Sequence, residues 1–354
     1  MTPKQRVLTT LARKTPDRVP INYSCNEGID RRLKAHFKLD PTDGEGLLRA
    51  LGVDFRSVGA PYVGPKLHAD GPNYLADIWG IRRRWVEHST GGYWDYCDWP
   101  LREATVAQIE AWPWPDPARF DYSKIAEQCR VHADYCICAG HAGVGDIINS
   151  NGMLRTMEQV LIDMATDDPA GIRLIDIRTE INLEIIRRTL EAGNGAIDLL
   201  WIGEDLGTQR GPTISLAMFR KHIRPRMARF VDLAKQFNVP TMIHSCGSSS
   251  WAFDDFIDMG IRAVDTLQPE AADMAPAYLK HRYGDRLAFH GMISTAGPLA
   301  YGSVDDVVKD VRQTLDIMMP GGGYALAPTH AIQDNSPTEN VVAMYEAARQ
   351  FGNY

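Results

Sequence analysis

Short β-rich runs that are apolar on both faces, separated by helix-length segments, constrain this chain more than any other feature. Eight short apolar, β-rich runs can be read, several of them apolar on both faces, over residues 18–23, 53–58, 134–139, 198–202, 239–244, 262–267, 286–290 and 323–327. The stretch Ile197-Asp198-Leu199-Leu200-Trp201-Ile202 shows the type. A strand covered on both faces reads as nearly continuous apolar sequence, whereas a half-exposed strand alternates. Helical patterns are expected over 170–192, 215–237 (opened by the Ser215 cap), 254–259 and 304–318. Strand–helix alternation to the end of the chain selects a parallel barrel or a doubly wound sheet. Eight strands favour the α/β (β/α)8 TIM barrel, as one domain over residues 1–354.

Residues 60–122 break the alternation and hold Trp79, Trp85, Trp94, Trp99, Trp112 and Trp114, six of the eight tryptophans. Ile78-Trp79-Gly80-Ile81-Arg82-Arg83-Arg84-Trp85 alternates, and a turn follows at Gly91-Gly92. The expected structure is a β-hairpin inserted after the second strand. Two roles stay open for it: an insertion packed on the barrel mouth, or a lid and substrate wall.

The formal net charge of -7 gives no electrostatic reason to hold nucleic acid or an anionic membrane. The chain has no run of 18 apolar residues to span a bilayer. Its start, Met1-Thr2-Pro3-Lys4-Gln5-Arg6, leads into an amphipathic pattern rather than an apolar signal region. The six cysteines, at 25, 97, 129, 136, 138 and 246, lack a framework spacing. Reduced thiols in the cytoplasm are the expectation. The expected partner is a small molecule; a homodimer is left open.

In a (β/α)8 barrel the chemistry sits at the C-terminal ends of the strands. The polar residues there are His141, Glu204 and Asp205, His244 and Cys246, Gln268, His290, and His330. His244 and Cys246 are the sharpest pair. Residues i and i+2 of a strand share a face, so an imidazole and a thiolate can reach one cation, and that pair suits zinc. A packed histidine beside an inert cysteine is the other reading. His330, after the last strand, is the best candidate for a third metal ligand, because three ligands with an open position describe a catalytic zinc. Glu204 and Asp205 are adjacent and should face opposite ways. Asp205, near Gly207, is expected to point into the site while Glu204 binds a helix N-terminus or backbone. Cys25, His141, Gln209, Gln268 and His290 are expected to line the substrate pocket. Cys136 and Cys138 sit mid-strand on one face, where buried thiols are commonly inert.

Several segments resemble the uroporphyrinogen decarboxylase superfamily, over nearly the whole chain. They are Pro3-Lys4-Gln5-Arg6-Val7-Leu8, Pro16-Asp17-Arg18-Val19-Pro20, Leu51-Gly52-Val53-Asp54, Pro320-Gly321-Gly322-Gly323-Tyr324, His330-Ala331-Ile332 and Ser336-Pro337-Thr338-Glu339-Asn340-Val341. The resemblance implies a (β/α)8 barrel. True decarboxylases carry an Arg-Gln-Ala-Gly-Arg stretch that holds a polycarboxylate. Here Tyr23-Ser24-Cys25-Asn26-Glu27-Gly28 stands there, and Gly59-Ala60-Pro61 replaces the catalytic aspartate's segment. His244-Ser245-Cys246-Gly247 is instead similar to the ligand pair of the zinc-dependent, corrinoid-linked methyltransferases. Their third ligand is a cysteine, and His330 stands in its place. The resemblance therefore implies a zinc-dependent methyltransferase, with His244, Cys246 and His330 on the metal and Asp205 or Glu204 handling the acceptor. The methyl would come from a methyl-corrinoid protein or a small methylated substrate and go to a thiol or other acceptor. The alternative is a decarboxylase-like lyase on a smaller substrate, with His330 and Asp205 as the acid–base pair.

Overall fold

A computed structural model of the chain describes residues 1–88 and 91–354. Ten strands occur among them: β1 (Phe55–Val58), β2 (Leu75–Ala76), β3 (Arg82–His88), β4 (Gly91–Tyr96), β5 (Cys136–Gly140), β6 (Leu199–Gly203), β7 (Thr241–Ser245), β8 (Ala263–Thr266), β9 (Ala288–Ile293) and β10 (Tyr324–Pro328). Seven of them form one sheet in the order β1-β5-β6-β7-β8-β9-β10, and every pair in it is parallel. Neighbours in sequence are thus neighbours in space, with helices between them. The strands are nearly all buried, which is why they read as apolar runs.

The expected first strand, 18–23, is the main departure: it survives only as isolated bridges, one of them Ile21 to Leu326 in parallel. The cause is local. Pro20 has no N–H to give, and the Ile21 N–H donates to the Asp54 carboxylate at 2.8 Å instead of to a strand. Two bonds still reach β10, Asn22 N to Leu326 O and Leu326 N to Pro20 O, and Asp54 N donates to Ile21 O beside β1.

That junction is held by charge. Asp54 is fully buried and receives Arg6 Nη1 at 2.6 Å and Arg18 Nη1 at 2.9 Å. Arg6 also donates to Asp17, at 2.7 Å from Nε. The opening segments quoted above for their resemblance therefore meet in one ionic cluster at the N-terminal end of β1.

The helices follow the sequence signals closely. Pro169–Gly193 opens with Asp168 accepting from Ala170 N and Gly171 N, and closes on the left-handed Asn194. Val304–Met318 carries a Ser303–Asp306 capping box. The segment expected as one helix from Ser215 runs as Leu216–Met218, a π turn over Phe219–Ile223, and Arg224–Gln236. Pro225 explains the widened turn, since it cannot donate to the carbonyl one turn back.

The Trp-rich segment forms a second, antiparallel sheet, β2-β3-β4, between β1 and β5. Its hairpin pairs Trp85 directly with Trp94, edge to face at 5.7 Å. Gly91 and Gly92, expected to be the turn, already belong to β4, opposite His88 and Glu87; the residues between the strands lie outside those described. Beneath this sheet Ile81, Leu101 and Ile109 pack with Leu154, Ala170 and Leu174 as a small separate core. Among the described residues no helix is long and apolar enough to cross a membrane.

Candidate functional site

Register builds the centre of the site. His244 on β7 is level with Asp265 on β8, which is level with His290 on β9. Laterally paired residues of a sheet face the same side, so three polar side chains form one row. Small residues flank it, Gly203 on β6 and Ala325 on β10. Asp265 is 3% exposed and bridges the two imidazoles: Oδ2 lies 2.7 Å from His244 Nδ1, and Oδ1 lies 2.5 Å from His290 Nδ1. Burial opposes its ionisation, but His290 and His244 outweigh that and hold the carboxyl well below the usual range. The Thr266 hydroxyl also lies 2.7 Å from His244 Nδ1. His290 is wedged between the Phe55 and Trp201 rings, and its Nε2 meets Asn22 Nδ2 at 3.0 Å.

With Nδ1 donating to Asp265, His244 turns Nε2 toward the loops after β6 and β7. There Cys246 Sγ lies at 3.3 Å and Asp205 Oδ1 at 3.7 Å. Asp205 is clamped from two sides, by Cys246 N at 2.8 Å and Asn149 Nδ2 at 2.7 Å. This contact requires two backbones to touch. A Cβ on Gly247 would come within 2.3 Å of Gly207 O, and Gly247 has a φ of +69°, so glycine fits where other residues strain. Burial opposes protonation of His244, but Asp265 and the Cys246 sulfur outweigh it and raise its affinity for a proton. The lone pair that attracts that proton is the one a cation would compete for. Burial raises the Cys246 thiol, against the pull of His244.

Asp205, His244 and Cys246 offer one ligand atom each, all within 4.8 Å of one another, a set compatible with a metal ion. A carboxylate, an imidazole and a thiolate are donors that zinc accepts. The fit extends outward, because a ligating imidazole commonly gives its second N–H to a carboxylate, as His244 does here.

The other residues singled out in the sequence fall around this centre. Glu204 is buried and faces away from Asp205, accepting Ile147 N at 2.8 Å and Ile148 N at 3.1 Å where the Ile148–Arg155 helix begins. Burial and the nearby Asp146 charge push its carboxyl well up. Asp146 is itself pushed up to about 6, by burial and then by Asp205. His330 is exposed, with Nδ1 3.2 Å from Ala331 O, and stands outside the three-residue group. Gln209 is exposed and donates to Gln268 Oε1, which also receives Gly247 N at 2.7 Å. His141 lies apart, beside Trp79 in a 450 Å3 cavity. Cys25 is turned onto the Tyr23 hydroxyl at 2.6 Å, and burial pushes its thiol up to about 12.

Two cavities meet at His244. One, of about 310 Å3, is lined by Asp205, Asp146 and the base of the hairpin, Tyr96 and Trp99. The other, of about 200 Å3, is lined by Asp265, His290, Trp201 and His330. The hairpin's far end reaches the loop after β10: a Cβ on Gly91 would lie 2.4 Å from Asp334 Oδ2. Sequence reasoning passed over Asp265 and Asp146. Asp265 had a signal, a carboxylate following Ala263 and Val264 in the middle of a short strand-like run.

The fold and the strand-end cluster define a parallel α/β protein with a compact donor site. The family model for uroporphyrinogen decarboxylase (URO-D) matches residues 147–351, more than half of the sequence, and the chain belongs to that family. Among solved structures it is similar to a methyltransferase from Methanosarcina mazei, at 19% identity over 99% of both chains with a TM-score of 0.66. That likeness establishes the shared fold. A 3-keto-D-glucoside 4-epimerase, YcjR, from E. coli matches at 12% identity and a TM-score of 0.37, over 65% of this chain and 86% of that one. No curated protein matches the chain.

Proposed function

We propose that the protein is a metal-dependent methyltransferase, with zinc held by His244, Cys246 and Asp205, on a (β/α)8 barrel closed by the Pro20–Asn22 segment. The observation that carries it is the His244–Asp265 pair, which fixes the imidazole with Nε2 facing a thiol and a second carboxylate. The solved methyltransferase of the same fold supports the reaction class. Asp205 takes the third-ligand role that the resemblance gave to His330, since His330 is exposed and bonded locally.

When bound, zinc supplies Lewis acidity that favours the thiolate form of an acceptor thiol. The chain's own groups do the rest. Asp265 keeps the proton on His244 Nδ1 and fixes the ring plane. The Cys246 N–H and Asn149 hold Asp205 at the cavity wall, one on each carboxylate oxygen, in the orientation a metal ligand needs. Tyr96 and Trp99 narrow the cavity over the reacting atoms and limit water. The methyl donor is a methyl-corrinoid protein or a small methylated molecule. Acid–base lyase chemistry by Asp205 and His330 fits less well, because the two border different cavities. A polycarboxylate is also disfavoured, because neither lysine nor arginine lines the Asp205 cavity.

Metal analysis of protein purified without chelator or nickel resin tests the reading. Expected are about one zinc per chain, its loss in Cys246→Ser, and parallel loss of methyl transfer from methylcobalamin or a methylated small molecule to a thiol. Metal-free protein whose methyl transfer survives Cys246→Ser would sink it.

A further inference from the structure

The 310 Å3 cavity has an unusual wall for a family named after a polyanionic substrate. Two of its lining residues are carboxylates, Asp146 and Asp205, two are aromatic, Tyr96 and Trp99, and none is lysine or arginine. The rings stand edge to face, with centroids 6.3 Å apart, at the base of the hairpin. Met153 and Met157 add soft apolar surface. A volume near 300 Å3 suits a small ligand.

The charges can be followed one by one. Asp205 and a Cys246 thiolate would together offset a divalent ion between them. Asp146 then remains. Its oxygens accept from Asn149 N at 3.2 Å, Ser150 N at 2.9 Å and Ser150 Oγ at 2.9 Å, bonds that orient the charge without cancelling it. Two guanidiniums lie behind the wall and are committed elsewhere. Arg83 pairs with Asp77 at 2.6 Å. Arg178 donates to Ser150 O and stacks on Trp79 at 4.8 Å. Among the described residues neither forms an ion pair with Asp146 or Asp205. An anion here would face like charge, and Asp146 feels the buried Arg178 only through space, with no ion pair between them among the described residues. Aromatic faces beside a carboxylate attract an alkylated cation, whose charge is spread over methyl groups that can also pack on methionine.

We propose that this cavity binds a methylated ammonium cation, held by Tyr96 and Trp99 on one side and Asp146 on the other. As a statement about the methyl-bearing substrate, this rests on the methyl-transfer reading above. As a statement about binding, it stands on the wall itself.

The test is calorimetric titration of the full chain at pH 8 with choline and with 3,3-dimethylbutan-1-ol, its uncharged carbon isostere. Zinc is measured on the same samples. Expected is saturable binding of choline, with the alcohol and Trp99→Leu each weaker by roughly tenfold. Asp146→Asn should weaken choline and leave the alcohol unchanged. Asp146 also caps a helix, so the half-exposed Trp99 keeps the test decisive if that variant fails to fold. Equal binding of choline and the alcohol, or no binding of either, would overturn the proposal. Zinc-loaded protein that ignores choline overturns this inference and leaves the metal reading intact. Zinc-free protein that binds choline, with Trp99 required, supports the cation site and overturns the metal reading.

Discussion

Asp54 and Asp265 are both buried carboxylates that bridge two basic side chains, one just before β1 and the other near the end of β8. Their partners differ. Arg6 and Arg18 spend their guanidinium nitrogens on Asp54, Asp17 and backbone carbonyls of Met1, Val19 and Gly52. His244 and His290 each give Asp265 only Nδ1 and keep Nε2 for other work, toward Cys246 and Asn22. A saturated cluster has no lone pair to offer and contributes stability. An unsaturated one holds a lone pair in a fixed direction, which is what a metal or a proton needs. The two ends of the sheet thus hold the same aspartate geometry in different states, one saturated by guanidiniums and one that leaves imidazole nitrogens directed elsewhere.

Removing the carboxylate from each cluster should tell these states apart. The largest effect is expected for Asp54→Ala, which strands two guanidiniums at a buried junction and removes the acceptor of Ile21 N. Breaking a buried pair in this way costs on the order of 3–5 kcal/mol. Urea unfolding should show that loss, with zinc per folded chain unchanged. A loss below about 1 kcal/mol, the scale of an exposed pair, would mean that the junction is not held by charge.

Asp265→Asn should reverse the pattern. The amide keeps the shape but no longer accepts two imidazole protons as a charge, so the orientation of His244 relaxes. Zinc affinity is expected to fall by about 10–100-fold. Competition with a chromophoric chelator measures it. Unfolding midpoints should move less than in Asp54→Ala. Zinc affinity unchanged within about twofold would show that Asp265 is only a packing residue and would erase the contrast between the two ends.

The two ends also differ in how much of them the sequence carries. The six strands from β5 to β10 were legible because burial on both faces leaves an apolar run, and the ion cluster at Asp54 lies in segments that resemble a known family. The first strand was misread because its apolar pattern is real while its hydrogen bonds go elsewhere, to a side chain that only the fold brings near. At the candidate site, His244 and Cys246 were legible as a pair, and they do meet at 3.3 Å although β7 ends at Ser245. Asp265 was hidden by the assumption that a buried strand is apolar throughout. The approach of Asp205 to Cys246 depends on Gly207 and Gly247 backbones touching across two loops, which no periodicity encodes. Tyr96 and Trp99 reach the cavity only because the hairpin folds back over the strand ends.

The smallest expected effect concerns His330, the residue the resemblance placed on the metal. Its ring is exposed, and Nδ1 sits 3.2 Å from both Ala331 O and Gln333 Nε2, contacts made within its own loop. It shares a cavity with His244, His290 and Asp265, and not the one that Asp205 lines. His330→Ala should therefore leave zinc affinity within about twofold of the parent, against the 10–100-fold expected for Asp265→Asn. It should also leave stability within about 0.5 kcal/mol, the range for surface substitutions away from caps and cores. Any change should fall on the rate with the substrate that occupies the smaller cavity. A loss of zinc as large as in Cys246→Ser would instead make His330 a ligand. His330 would then act through the smaller cavity, which His244 also lines.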